Sequence, residues 1–116
     1  MNEIEIKIIS KLENRHKGKD NAITYKNLAF LLGINERELR NIVSDIVTNG
    51  IAPLAGTSDA GYYFPADREE FDHSQKELNS RALKILRRKV GQRKAWIKYE
   101  QEKEQNKKIE QLELML

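Results

Sequence analysis

Residues 23–64 constrain the fold most, because they hold two short helical patterns joined by a very short connection. Thr24 can cap the first helix of this pair. Leucines follow it at helical spacing, which predicts a buried face, at Leu28, Leu31 and Leu32. Gly33 ends this pattern, and Asn35 can cap a second helix, with Glu38 three residues further on as in a capping box. A connection of this length predicts a helix-turn-helix.

The second helical pattern is amphipathic and is followed at once by a hairpin pattern. Its predicted buried face consists of Leu39, Ile42, Val43 and Ile46. Asn49-Gly50 ends it, because glycine tolerates the left-handed conformation found after helix C-termini. Two short apolar runs, 51–55 and 62–64, then flank six residues rich in Gly, Ser, Thr and Asp. They predict a β-hairpin, the wing of a winged helix.

One set of positions in this stretch resembles a known family. The set comprises Leu28, Ala29, Leu32, Gly33, Ile34, Asn35, Arg37, Glu38, Leu39, Arg40, Ile42, Val43, Asn49, Gly50, Gly61, Tyr62 and Tyr63. It resembles the winged helix-turn-helix domains of small bacteriophage and prophage DNA-binding proteins, and more distantly the biotin-repressor DNA-binding domain. The resemblance covers roughly residues 1–65 and implies double-stranded DNA as a partner. Winged helices also dock proteins, so an interaction adaptor without sequence-specific DNA binding is the alternative.

The remaining patterns give a mainly α fold with a small β-hairpin. Ile4, Ile8 and Leu12 predict a first helix, which starts at Asn2-Glu3. Asp67 can cap a long helix that we expect to end near Gln105. The predicted organisation is a winged helix-turn-helix domain at 1–66, a long basic helix at 67–105 and a C-terminal tail with an apolar end at 106–116.

The second helix of the pair carries the predicted base contacts. Four polar residues lie near its N-terminal end, the part that enters the major groove in this architecture: Arg37, Arg40, Asn41 and Ser44. Arginine suits guanine edges and asparagine suits adenine edges. The alternative is an ordinary exposed helix face. The predicted hairpin tip has no Lys or Arg, so only its backbone and the hydroxyls of Thr57 and Ser58 are available for phosphates.

The basic charge lies mainly behind this domain. Residues 1–70 carry 9 Lys and Arg against 11 Asp and Glu, whereas residues 71–116 carry 12 against 7. Between Ser80 and Tyr99 there are eight basic residues and no acid: Arg81, Lys84, Arg87, Arg88, Lys89, Arg93, Lys94 and Lys98. We expect them to surround most of the helix. Like charges four residues apart destabilise a helix, which favours phosphate contact over a merely solubilising role.

Apolar residues also recur along this helix and predict burial. We expect Phe71 and Leu78 to pack on the winged helix. Further along, Ile85, Leu86, Val90 and Trp96 are too many apolar side chains for a solvated rod. They predict a homodimer through the C-terminal helix, which DNA would help to stabilise against the repulsion of the basic residues.

The last residues return to apolar character after a polar tract. The pentapeptide Gln111, Leu112, Glu113, Leu114 and Met115 resembles the peptide that docks bacterial replication and repair proteins on the sliding clamp. Met115 stands where that family usually has Phe. The resemblance implies that Gln111, Leu112, Leu114 and Met115 bind the clamp. The alternative is a helix end with one apolar face.

Composition excludes several other classes. The chain has no cysteine, which excludes disulfides, zinc fingers and cysteine nucleophiles. No apolar run approaches the roughly 20 residues of a membrane span, so we expect no membrane association. The resemblance to phage and prophage domains implies a bacterial or phage-infected cytoplasm. The two histidines, His16 and His73, have no partners at metal-ligand or acid–base spacing. Acidic residues at 67–72 suit a helix N-terminus better than a metal site. We therefore expect no enzyme activity, cofactor or metal. The resemblance to phage and prophage DNA-binding domains implies a role in replication or transcription control.

Overall fold

The computed structural model describes residues 1–57 and 59–116. The protein is mainly helical, with one two-stranded antiparallel hairpin in the described residues. Its elements are α1 (Glu3–Arg15), a 3-10 turn (Lys19–Asn21), α2 (Tyr25–Leu32), α3 (Glu36–Thr48), β1 (Ala55–Thr57), β2 (Gly61–Tyr63) and α4 (Arg68–Met115). One compact unit comprises Met1–Lys76, and a second comprises Glu77–Leu116.

Every α-helix begins where the sequence places a capping side chain. The Asn2 side chain accepts a hydrogen bond from the Glu5 N–H at 2.9 Å, which starts α1. Thr24 Oγ1 caps α2, Asn35 Oδ1 caps α3 at 2.8 Å, and Asp67 Oδ1 accepts from the third residue beyond it at 2.8 Å. Each cap satisfies a backbone donor that the helix itself leaves without a partner.

The first unit is built around the two helices of the predicted pair and α1. Ile8 and Leu12 of α1 are fully buried in the core, where α1 contacts α3 and β2. The core residues are Ile8, Leu12, Ile23, Leu28, Ala29, Leu39, Val43, Ile46, Leu54 and Tyr62. Leu39, Val43 and Ile46 form the inner face of α3, as predicted, and Ile42 packs at its margin. Burial of this face fixes which side of α3 meets solvent.

The hairpin begins later than its sequence pattern indicated. The run 51–55 was expected to be the first strand, but only Ala55 of it pairs, opposite Tyr63. Ile23 extends the pairing through hydrogen bonds to Tyr62 in both directions at 2.9 and 2.8 Å. Gly61 is required at this junction, because it has φ 97° and a Cβ there would overlap the Ile23 carbonyl.

Three further expectations are corrected by burial and helix length. Leu31 is 58% exposed because α2 turns its inner side, with Leu28 and Ala29, to the core. Leu78 is 47% exposed rather than buried. α4 continues through Met115, past the expected end near Gln105, since no proline or glycine interrupts residues 92–116. No helix among the described residues has the length and apolar character required to cross a membrane.

Candidate nucleic-acid interface

The four predicted base-contacting residues share one exposed face of α3. Arg37, Arg40, Asn41 and Ser44 are all exposed. At about 100° per residue, their side chains leave the helix within an arc of about 100°, opposite the buried Leu39. They can therefore reach one ligand at the same time. A major groove admits an α-helix presented in this way, with Arg and Asn as base readers.

Arg40 has an aromatic support that the sequence did not indicate. Its guanidinium carbon lies 5.7 Å from the centroid of the Tyr25 ring, within the range of a cation–π contact. The Tyr25 ring in turn lies 4.5 Å from the Tyr62 ring, tilted by 47°. Tyr25 is the first residue of α2 and Tyr62 is in β2, so the contact joins three elements. The spacing of these three residues in the sequence does not predict that they are in contact.

The Tyr25 hydroxyl connects this cluster to the hairpin. It donates a hydrogen bond to the Thr57 carbonyl oxygen at 2.6 Å. Burial raises the pKa of Tyr62 to about 12; the nearby Tyr25 adds to the rise and Arg40 opposes it. Tyr62 therefore remains a neutral phenol at neutral pH. The face that carries Arg40 is cationic, with neutral aromatic rings beneath it.

The hairpin tip offers few phosphate donors. The Thr57 hydroxyl oxygen accepts a hydrogen bond from the Ala60 N–H at 2.9 Å, which closes the turn. Asp59 is exposed and adds an acidic side chain at the tip. The expected contact of the Ser58 hydroxyl with phosphate lies outside the described residues. The tip is thus less suited to a polyanion than α3.

In the second unit, helix geometry separates basic from apolar side chains. At about 100° per residue, six of the eight basic residues fall within an arc of about 140°. They are Arg81, Lys84, Arg87, Arg88, Lys94 and Lys98, and we call them the basic side of α4. Lys89 and Arg93 lie on the other side. Together the eight span about 260° of the helix circumference, with six of them concentrated on one side.

The opposite arc of about 160° is the apolar side of α4. Its members are Leu78, Leu83, Ile85, Leu86, Val90, Trp96 and Ile97. Each is between 47% and 59% exposed. Trp96 and Tyr99 have ring centroids 5.4 Å apart. These side chains contact only their own helix in the second unit, so their apolar area stays in water unless a partner covers it.

The C-terminal pentapeptide lies on α4 rather than in an irregular tail. Gln111 is exposed, as are Leu112 at 62%, Leu114 at 87% and Met115 at 82%. The last turn of a helix lacks intrahelical partners for its carbonyl groups and is the part that unwinds most readily. The predicted clamp-binding residues are thus accessible at a helix end.

In the part of the chain that the structure describes, no group of three or more His, Asp or Glu residues is arranged to hold a metal ion. The acidic start of α4 is accounted for by capping, because Asp67 and Glu70 both accept backbone hydrogen bonds there. In the comparisons with known proteins, no protein-family model, curated protein or solved structure matched the chain.

Proposed function

We propose that the protein binds double-stranded DNA through a winged helix-turn-helix at residues 1–66, in phage-type replication or transcription control. The observation that carries the proposal is the exposed face of α3, on which Arg37, Arg40, Asn41 and Ser44 converge. A short turn from α2 and a hairpin after α3 give it the setting of a recognition helix. We propose a bacterial or phage-infected cytoplasm as its compartment.

The basic side of α4 supplies the sequence-independent part of the proposed binding. Six cationic side chains on one side of a helix repel one another in water. Phosphate groups relieve this repulsion and release counterions, which favours binding at low salt. Of the predicted contacts, Arg81, Lys84, Arg87, Arg88 and Lys94 lie on this side, whereas Arg93 lies on the apolar side. Base reading is thus assigned to α3 and phosphate contact mainly to α4.

Two protein partners extend the proposal. The apolar side of α4 favours a second copy of the chain, because an apolar arc along a helix is commonly covered by another helix. The exposed end at Gln111, Leu112, Leu114 and Met115 favours docking on a bacterial sliding clamp. Clamp docking would hold the protein near replicating DNA by effective concentration.

The second candidate function is a protein-interaction adaptor. The acidic balance of residues 1–70 and the lack of basic residues at the hairpin tip favour it. An adaptor would use the hairpin side of the first unit and would show no dependence on the α3 face in any DNA assay.

The test is a fluorescence anisotropy titration of duplex DNA at two salt concentrations, preceded by site selection from a random duplex pool. We expect salt-dependent binding and enrichment of a common sequence. The double variant R40A/N41A should lose discrimination between selected and random DNA, since each good base contact contributes about 1–3 kcal/mol. K7A, which removes an exposed charge from α1, is the matched control. Binding that is absent at low salt, or discrimination unchanged in R40A/N41A, would contradict the proposal.

A further inference from the structure

We infer that Tyr25 is a positioning residue for Arg40, and that the hairpin assists DNA recognition by holding Tyr25 rather than by its tip. The inference rests on the proposed function, because it assigns a role to residues beneath the proposed recognition face. It concerns residues of the first unit only, and it explains why a hairpin with an uncharged or acidic tip can still matter for binding.

The first step is the restraint on Arg40. A free arginine side chain samples many rotamers, and fixing it on a ligand costs conformational entropy. The guanidinium of Arg40 lies over the Tyr25 ring at 5.7 Å. A guanidinium over an aromatic ring keeps its N–H donors at the rim, where they can still bind a base edge or a phosphate. The contact thus restricts the rotamers of Arg40 before DNA binds, while its N–H groups remain available as hydrogen-bond donors.

The second step is the restraint on Tyr25 itself. Its hydroxyl donates to the Thr57 carbonyl oxygen at 2.6 Å, and its ring packs on Tyr62 at 4.5 Å. Tyr62 is fixed by paired backbone hydrogen bonds to Ile23. Gly56 leaves room for the Tyr62 ring, since a Cβ there would lie 2.9 Å from Tyr62 Cδ1. The hairpin therefore holds Tyr25 at both its ring and its hydroxyl.

The third step is that the described residues of the tip carry no cation, whereas the hairpin reaches the α3 face by another route. The Thr57 hydroxyl oxygen accepts a hydrogen bond from the Ala60 N–H, and the Asp59 carboxylate would repel a phosphate. Thr57 and Tyr62 both contact Tyr25, and Tyr25 contacts Arg40 on the α3 face. The hairpin can therefore contribute to the binding of an anionic ligand through the residue that it supports.

The experiment compares Y25L, which removes both ring and hydroxyl, with Y25F, which removes only the bond to Thr57. F30L is the matched control, because Phe30 is an aromatic residue of the same helix and is 83% exposed, whereas the described cation–π contact of Arg40 is with Tyr25. Side-chain NMR relaxation of the Arg40 Nε–Hε group in the free protein reports its order directly. Backbone spectra of each variant establish that it is folded.

We expect Arg40 order to fall strongly in Y25L, partly in Y25F and not in F30L. DNA affinity should fall about three-fold or more in Y25L, the size expected from a cation–π contact. The loss should disappear when Arg40 is already alanine, so that R40A and Y25L/R40A bind equally. A general loss of stability would not produce this coupling.

The opposing outcomes are separable. The inference is overturned if Y25L and F30L have the same Arg40 order, or show the same coupling with R40A in DNA affinity, even if DNA binding persists. Arg40 order in Y25F equal to the unaltered protein overturns the role of the hydrogen bond from Tyr25 to Thr57. Failure of the unaltered chain to bind any DNA overturns the proposed function, whereas the NMR order of Arg40 still decides whether Tyr25 positions it.

Discussion

The Glu70 carboxylate accepts a hydrogen bond from the backbone N–H of Lys19 at 3.0 Å, across 51 residues of sequence. The same oxygen, Oε1, accepts from the Ala66 N–H at 3.3 Å. These bonds attach the first turn of α4 to the segment between α1 and α2. They explain why the compact unit extends beyond Pro65 to Lys76.

Removal of the Glu70 carboxylate should destabilise the first unit. We expect E70A to lower the free energy of unfolding by about 1–2 kcal/mol, because two backbone donors lose a charged acceptor and the bond from Lys19 is partly buried. Urea unfolding measures the change. E69A is the matched control, since Glu69 is an exposed carboxylate in the same helical turn. An equal loss in E69A would show that helix charge, rather than the Lys19 bond, is responsible.

Alkaline pH should destabilise the protein through Tyr62. Its pKa is raised from 10.0 to about 12 by burial, so the folded state holds a proton that the unfolded state releases. The stabilisation is complete below pH 10 and is lost as pH rises through 12. The complete loss is about 3 kcal/mol, from a rise of about two pKa units at 1.36 kcal/mol each.

The measurement is the difference in unfolding free energy between the unaltered protein and Y62F from pH 8 to pH 12. This difference isolates the phenol from the other groups that titrate there. Y99F is the control, because Tyr99 is 52% exposed. A pH dependence that Y62F leaves unchanged would contradict the assignment.

The basic side of α4 should set the salt dependence of DNA binding. We expect R87A/R88A to reduce the slope of log K against log salt by about 2, since each phosphate contact contributes about 0.9. K103A/K107A removes the same charge from a segment where acids and bases alternate, and should change the slope less. Equal slopes for the two variants would remove α4 from the interface.

The apolar side of α4 should mediate self-association. Sedimentation velocity of the full chain should show a dimer, at least with DNA present to neutralise the basic side. I85S/W96S should shift the chain toward monomer, since it removes two large side chains from the apolar side, whereas L114S at the exposed helix end should not. A monomer under both conditions would refute a dimer formed through α4.

The C-terminal residues should bind a bacterial sliding clamp. A labelled peptide of residues 107–116 should bind with a dissociation constant on the order of micromolar, as expected for a short motif. Q111A/L114A should abolish binding, and the same double change in the full chain should abolish it too. E113A, at a position where the docking motif has no fixed residue, is the control. An unaltered peptide that does not bind would disprove this docking site.

Local signals in the sequence were sufficient for the helix starts and for the inner face of α3. A capping side chain binds backbone N–H groups two or three residues away. Asn35 and Asp67 can therefore start their helices whatever the position of those helices in the fold. The period of Leu39, Val43 and Ile46 likewise depends on helix geometry alone. Exposure of Arg37, Arg40, Asn41 and Ser44 follows from the same period. The candidate recognition face could therefore be predicted without coordinates.

Packing between distant segments decided the rest. The first strand begins at Ala55 rather than Ile51 because its register depends on Tyr62 and on the bridge from Ile23, which local β propensity does not encode. The support of Arg40 by Tyr25, and of Lys19 by Glu70, joins residues that are 15 and 51 positions apart. The sequence by itself determined which residues α3 presents; only the tertiary structure decided what holds them in place, because such contacts form when separate elements share one core.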